Sequence, residues 1–149
     1  MSGWGGARRA AAAGVVCAVM AAASGTALSH NADGTHTHWD VTYVVIEVGG
    51  APVPETPTPA ELTFGVDGTV SGFAGCNRFT GSYETDGKTL SVGPLAVTRM
   101  LCPPAQMDLE ALVVAGLSGA ARVERDGPRL SLFDEDGELT LTMKRKGSN

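Results

Sequence analysis

From residue 61 onward, four Asp-Gly pairs, at residues 67–68, 86–87, 126–127 and 136–137, punctuate this 149-residue chain. Each lies between short segments of strand character. Asp-Gly is favoured at the centre of a two-residue hairpin because a type I′ turn needs positive φ at both central positions. From residue 61 onward the chain is therefore expected to be a series of hairpins. Residues 62–66 should pair with 69–73, 82–85 with 88–92, 123–125 with 129–133, and 130–133 with 139–143. Pro128 is expected to widen the third turn. The last strands alternate, with Leu130 and Leu132 set against Leu139, Leu141 and Met143. The residues flanking the four turns differ, so the turns do not mark an internal repeat.

Ahead of the hairpins, residues 39–46 begin the fold as a strand. A period of two puts Trp39, Val41, Tyr43 and Val45 on one face and Asp40, Thr42 and Val44 on the other. Residues 49–60 carry four prolines, which exclude a helix and a central strand, so a stiff, extended surface loop is expected. One helix is expected at about 103–118. Pro103 and Pro104 suit its first turn, where a missing N–H costs nothing. Asp108 and Glu110 fall in early turns, where negative charge is favourable, and Gly119 can close it. Leu109, Leu112, Val113 and Gly116 share one stripe, and Met107, Ala111, Val114 and Ala115 share the next. So little of this helix is polar that strands are expected to cover most of its circumference.

The densest pattern is the run Gly75-Cys76-Asn77-Arg78-Phe79-Thr80-Gly81-Ser82-Tyr83. It is answered by Thr98-Arg99-Met100-Leu101-Cys102-Pro103, with Thr89-Leu90-Ser91-Val92-Gly93-Pro94-Leu95 between them. The pattern G-C-N-R-F-x-G-x-Y … L-x-V-G-P-L-A-x-T-R-M-x-C-P resembles the META domain, also called the heat-shock-protein HslJ-like domain, over residues 39–144. The resemblance implies an α+β fold, a cracked-barrel-like antiparallel sheet of about eight strands packed on one helix. It also implies an envelope protein linked broadly to stress response. No binding residue carries over, because the motif positions have no agreed functional role.

Residues 1–29 have the form of a signal peptide. Arg8 and Arg9 make a basic start, residues 10–23 are an uninterrupted run of Ala, Gly, Val, Cys and Met, and Ala27-Leu28-Ser29 fits a small-x-small cleavage site, with Gly25-Thr26-Ala27 as a second choice. The run is too short to span a bilayer. Residues 30–38 form a polar, flexible lead-in, and 145–149 a short tail. Removal of 1–29 takes two arginines and no carboxylates, so the net charge falls from −5 to −7. An acidic chain without a basic patch argues against nucleic acid and against anionic membrane surfaces. Export places Cys76 and Cys102 in an oxidising compartment, where a disulfide can persist. Two buried free thiols are the alternative.

Little in the domain suggests catalysis. All three histidines, His30, His36 and His38, precede the first strand, so none can activate a thiol or serine within it. There is no Cys-x-x-Cys, no His-Glu-x-x-His and no phosphate loop. Asp134, Glu135, Asp136 and Glu138 cluster at a hairpin tip, as a solvated turn does. His30, His36 and His38 with Asp33 are potential transition-metal donors, but a polar lead-in accounts for them, and neither metal nor cofactor is assigned. Asn77, Arg78 and Arg99 remain. Asn77 suits a tight turn after Cys76 because it tolerates left-handed φ. A disulfide would draw Arg78 and Arg99 toward one side, as an anion site or as structural partners of local carboxylates and loop carbonyls. The expected role is a secreted or periplasmic, non-enzymatic binding or interaction module, with an envelope protein or a small apolar ligand as partner. A purely structural envelope domain is the first alternative, and an enzyme of unknown reaction the second.

The leader generates the first test. N-terminal sequencing of protein recovered from the envelope fraction should find a chain beginning near Leu28 or His30. Intact Met1 on that material would overturn export by cleavage.

Overall fold

The computed structural model describes residues 40–147, which form one antiparallel sheet and one helix. Trp39, the leader and the three histidines lie outside the described residues. The strands are β1 (Val41–Val48), β2 (Ala51–Pro52), β3 (Glu61–Phe64), β4 (Thr69–Phe73), β5 (Arg78–Thr85), β6 (Leu90–Val92) and β7 (Ala96–Val97). Helix α1 (Pro104–Ser118) follows, then β8 (Arg122–Asp126), β9 (Arg129–Phe133) and β10 (Leu139–Arg145). Eight of them lie in the order β6-β5-β4-β3-β1-β10-β9-β8, with β2 beside β1 and β7 beside β5. The two ends of this order nearly meet. Leu90 N–H donates to Ala121 O at 2.9 Å and Val123 N–H to Lys88 O at 2.8 Å, which draws the sheet into a cracked barrel. The expected α+β fold is the one found.

All four expected hairpins form. The third turn is tighter than Pro128 suggested. Asp126 pairs directly with Arg129, and Gly127 takes φ 56°, so Gly127 and Pro128 alone make the loop. Proline sits there without cost because it occupies the loop and not the ladder. The proline-rich stretch is also better anchored than a free surface loop. Gly49 and Gly50, both with positive φ, turn the chain back so that Ala51 and Pro52 pair with β1. Between Val45 and Glu47 the β1–β10 register shifts by one residue, a bulge at Ile46. The Ile46 carbonyl accepts from Val53 N–H at 3.0 Å, while Val45 N–H donates to Ala60 O at 2.9 Å, so both ends of the loop are tied to β1.

Alternation along the strands builds the core. Tyr43 and Val45 of β1, Leu62 and Phe64 of β3, Leu130 and Leu132 of β9, and Leu141 and Met143 of β10 all point inward and are buried. Phe64 packs edge-to-face between Tyr43 and Tyr83, at ring separations of 6.3 and 5.0 Å. The Tyr83 hydroxyl is satisfied by donating to Gly65 O at 2.8 Å.

Helix α1 lies against β1 and β10 through one stripe, Leu109, Val113 and Leu117, each one turn from the next. Gly116 sits beside that stripe, and a Cβ there would be 3.0 Å from Leu141 Cγ, so the missing side chain lets helix and strand approach. The other side of the helix is open. Ala105, Ala111, Leu112 and Ala115 are exposed, contrary to the expectation that strands would wrap it. Small side chains explain the difference, since alanine favours the helix without needing burial. No acidic residue lies in the first turn, so Asp108 and Glu110 do not act on the dipole as expected. Gly119 does close the helix, in a right-handed conformation, donating to Ala115 O at 2.9 Å. Among the described residues no helix is long and apolar enough to cross a membrane.

Two turn aspartates fix their own hairpins and titrate accordingly. Asp67 accepts from Thr69 N–H at 3.0 Å, and Asp86 accepts from Thr89 and Lys88 N–H at 2.7 and 2.8 Å. These backbone hydrogen bonds hold both carboxyls below their ordinary pKa. A depressed folded-state pKa contributes stability that is present above the unfolded value of about 3.9 and is lost as pH falls through the folded one. The melting temperature should therefore drop on acidification below about pH 4. Asp67→Asn combined with Asp86→Asn keeps the acceptors and removes their titration, so its melting curve should depend less steeply on acid than the parent's. Equal slopes would show that these turns do not contribute to acid lability.

Candidate functional site

The two motif runs meet at one junction. β4 ends at Phe73, and the chain turns through Gly75, whose φ of 115° belongs to the left-handed side that glycine tolerates. A Cβ on Gly75 would stand 3.1 Å from Leu109 Cδ2 and 3.3 Å from Gln106 O, so this turn is also where the helix touches the barrel. Cys76 follows, buried, and is joined to Cys102 by a disulfide across a sequence separation of 26. Cys102 stands just before Pro103 and Pro104. The bond therefore fastens the start of β5 to the start of α1.

Asn77 does more than the sequence suggested. The positive φ of the turn falls on Gly75, and Asn77 acts through its side chain, which is only 2% exposed. Its Oδ1 accepts from Met100 N–H at 2.6 Å and from Thr98 Oγ1 at 3.0 Å. Its Nδ2 donates to Met100 O at 3.2 Å and to Glu110 Oε1 at 3.3 Å. Its own backbone N–H donates to Glu110 Oε2 at 2.6 Å. One amide thus binds the 98–100 strap and the helix to the first residues of β5. Each of its polar atoms has a partner, which is the condition for burying an amide without a large penalty.

Glu110 is the residue that sequence reasoning misassigned. Charge near a helix start is the familiar reason for an early glutamate. Here the carboxylate turns inward to receive both N–H groups of Asn77. The available signal was its place beside Leu109 and Val113, the stripe that docks.

Arg78 and Arg99 are not brought to a common site. Arg78 lines a concavity on the outer face of the sheet, and Arg99 lines a cleft between the 95–100 strap and the helix. Asn77 ends the bend at 75–77 and faces the junction, whereas Arg78 begins β5 and faces the sheet groove. The Arg78 backbone is paired with Thr98, through Arg78 N–H to Thr98 Oγ1 at 3.1 Å and Thr98 N–H to Arg78 O at 2.9 Å.

The Arg99 cleft has a volume of about 530 Å³. Leu95, Val97, Met100, Met107, Ala111 and Val114 give it apolar walls, and Asn77, Thr98, Arg99 and Glu110 line a comparable polar share. Unbranched methionine side chains adapt to varied apolar shapes. At this end of the molecule Met100 is 58% exposed and Leu101 93%. Apolar walls with a few fixed polar groups are the usual character of a small-molecule site.

The sequence model of the META domain matches residues 33–147. The chain is 33% identical over 103 residues to Heat shock protein HslJ of Escherichia coli (strain K12), covering 68% of this chain and 71% of that protein. A protein from Burkholderia xenovorans solved by NMR is 30% identical, with a TM-score of 0.56, over 74% of this chain and 85% of that one. A second NMR structure is 32% identical, with a TM-score of 0.58, over 71% and 89%. A crystal structure of a DUF4847 family protein from Bacteroides vulgatus shares the fold at 15% identity, with a TM-score of 0.56, over 76% and 97%.

The junction has a covalent tie and a polar one, and they are separable. Reduction of Cys76–Cys102 should cost about 3–4 kcal/mol by loop-closure entropy, leaving a chain that folds when cool and melts earlier. Asn77→Ala, with the disulfide intact, should cost about 3 kcal/mol because it orphans buried groups on the strap and the helix. Urea unfolding of each measures both. A loss under about 1 kcal/mol for Asn77→Ala would mean that water replaces the amide freely.

Proposed function

Because the chain belongs to the META-domain family, we propose that it is an exported, non-enzymatic binding module of the cell envelope that serves in stress response. The observation that carries the binding role is the cleft beside the motif. Asn77, Glu110 and the disulfide hold its floor rigid, while Met100 and Met107 supply adaptable apolar walls. Such a site fits a small apolar ligand, or an apolar side chain of an envelope protein, with exposed Met100 and Leu101 as the contact rim. Similarity to a protein named for heat shock supports the link to stress. A disulfide at the centre of the fold suits an oxidising compartment, periplasmic or extracellular. The absence of catalysis is supported by the chemistry of the junction. Both cysteines of the domain are consumed in the disulfide, so neither is a nucleophile, and Glu110 is engaged by Asn77.

Native mass spectrometry of the chain purified from its own host tests this reading. The expected result is a retained apolar ligand or a co-purified envelope protein. Ala111 is exposed on the cleft wall, so Ala111→Trp should fill the cleft, lose the adduct and leave the melting temperature within a few degrees. A chain that carries nothing, or an adduct that Ala111→Trp retains, would remove the cleft from consideration. Turnover in a broad hydrolase panel would overturn the non-enzymatic reading.

A further inference from the structure

On the opposite side of β5, the sheet carries a row of hydroxyls in direct register. Thr42 of β1 stands opposite Thr63 of β3, Thr63 opposite Ser71 of β4, and Ser71 opposite Thr80 of β5. Directly opposed residues share a face, and the Thr42 and Thr63 hydroxyls are 2.8 Å apart. With strands about 4.8 Å apart, the row runs for roughly 14 Å. The neighbouring row places Glu61, Phe73 and Arg78 opposite one another. Lys146, at the β1 end, forms an ion pair with Glu61 at 2.8 Å. These residues line a concavity of about 600 Å³.

Threonine is a favoured strand residue, so a hydroxyl row alone carries nothing. Two features set this one apart. The face is concave, and Arg78 stands at its far end exposed, with its guanidinium making no hydrogen bond or ion pair to any described residue. A guanidinium offers five N–H donors in a fork that matches a carboxylate.

We propose that this groove binds a short acidic oligosaccharide, with a sugar carboxylate on Arg78 and sugar hydroxyls along the row from Thr42 to Thr80. Protein hydroxyls both donate and accept, as sugar hydroxyls do, so the row matches a glycan without fixing the orientation of each group. Half-buried Phe73 offers an apolar surface to the C–H face of a sugar ring. A neutral sugar would cover Arg78 without pairing it, which is unfavourable. An extended peptide adds to a sheet at its edge, through backbone groups, and not across a face whose backbone is already paired. Nucleic acid needs many cations, whereas this chain has a net charge of −5. The groove meets the methionine-walled cleft at Val97 and Thr98, which line both, but Arg78 and the hydroxyl row belong to the groove alone.

Amide NMR titration of the chain as recovered from cells tests the proposal, with digalacturonate as the probe and its dimethyl ester as the uncharged control. Digalacturonate should shift the amides of Thr42, Thr63, Ser71, Arg78 and Thr80, saturating with a dissociation constant on the order of 1 mM. The ester, and Arg78→Gln with the acid, should each bind at least about tenfold more weakly. Arg78→Lys, which keeps the charge and loses the fork, should fall between. Thr63→Val with Ser71→Val, conservative for a strand, should weaken both probes while the spectrum stays folded. Four results would each overturn the proposal: no shifts at about 10 mM, shifts centred on residues 99–114, the same shifts from acetate alone, or parent-like binding by Arg78→Gln. Failure here would leave the apolar cleft untouched, since its test uses different residues and a different ligand chemistry.

Discussion

The fold turns on one buried amide. Asn77 joins three segments that are distant in sequence: the start of β5, the strap at 98–100 and the second turn of α1. Apolar packing of Leu109, Val113 and Leu117 holds the helix to the barrel but is not directional. A fully satisfied polar network is directional, and it selects one docking out of many similar ones. Cys76 and Cys102 fasten the same place covalently, so the helix entrance is located twice by unrelated means. The cleft beside it inherits that rigidity. Its floor cannot relax without breaking Asn77–Glu110 contacts, while its thioether walls remain adjustable.

The start of β5 lies between two of the molecule's concave surfaces. Asn77 and Arg78 are neighbours, yet one is sealed in the junction and the other opens onto the sheet face. That separation falls where the bend at 75–77 gives way to the strand. It places the methionine-walled cleft on the helix side and the hydroxyl row with Arg78 on the other. An arginine pair that looks like one anion site in sequence is, in space, one residue of each surface.

What was legible in the sequence was what short-range physics decides. Asp67-Gly68, Asp86-Gly87, Asp126-Gly127 and Asp136-Gly137 each announce a turn because the glycine meets a local backbone requirement, and Gly68, Gly87, Gly127 and Gly137 all take positive φ, although Asp126 itself stays in the ladder. Alternation around Leu130, Leu132, Leu141 and Met143 revealed the inward face for the same reason. The helix was located within a residue by Pro103 and Pro104. What was not legible depends on contacts between distant segments. Whether Leu112 or Leu117 is buried depends on the docking angle, which composition does not record, and Leu112 is 54% exposed. Glu110 looked like a dipole charge because its partner, Asn77, is 33 residues away. The two arginines seemed joined because the disulfide is close to both, and proximity in sequence says nothing of which face a side chain takes.

The strand order has a consequence for how the molecule comes into being. β1, the first strand described, finds its neighbour in β10, the last, and their pairing is central to the sheet. Nearly the whole chain must be present before that seam can form, and closing so long a loop is a slow, entropy-limited step. A chain still leaving the ribosome, or still threading through a narrow channel, cannot complete its barrel. Order of synthesis itself then keeps the polypeptide loose until its final residues are free, and closure becomes an all-or-none event at the end of the journey.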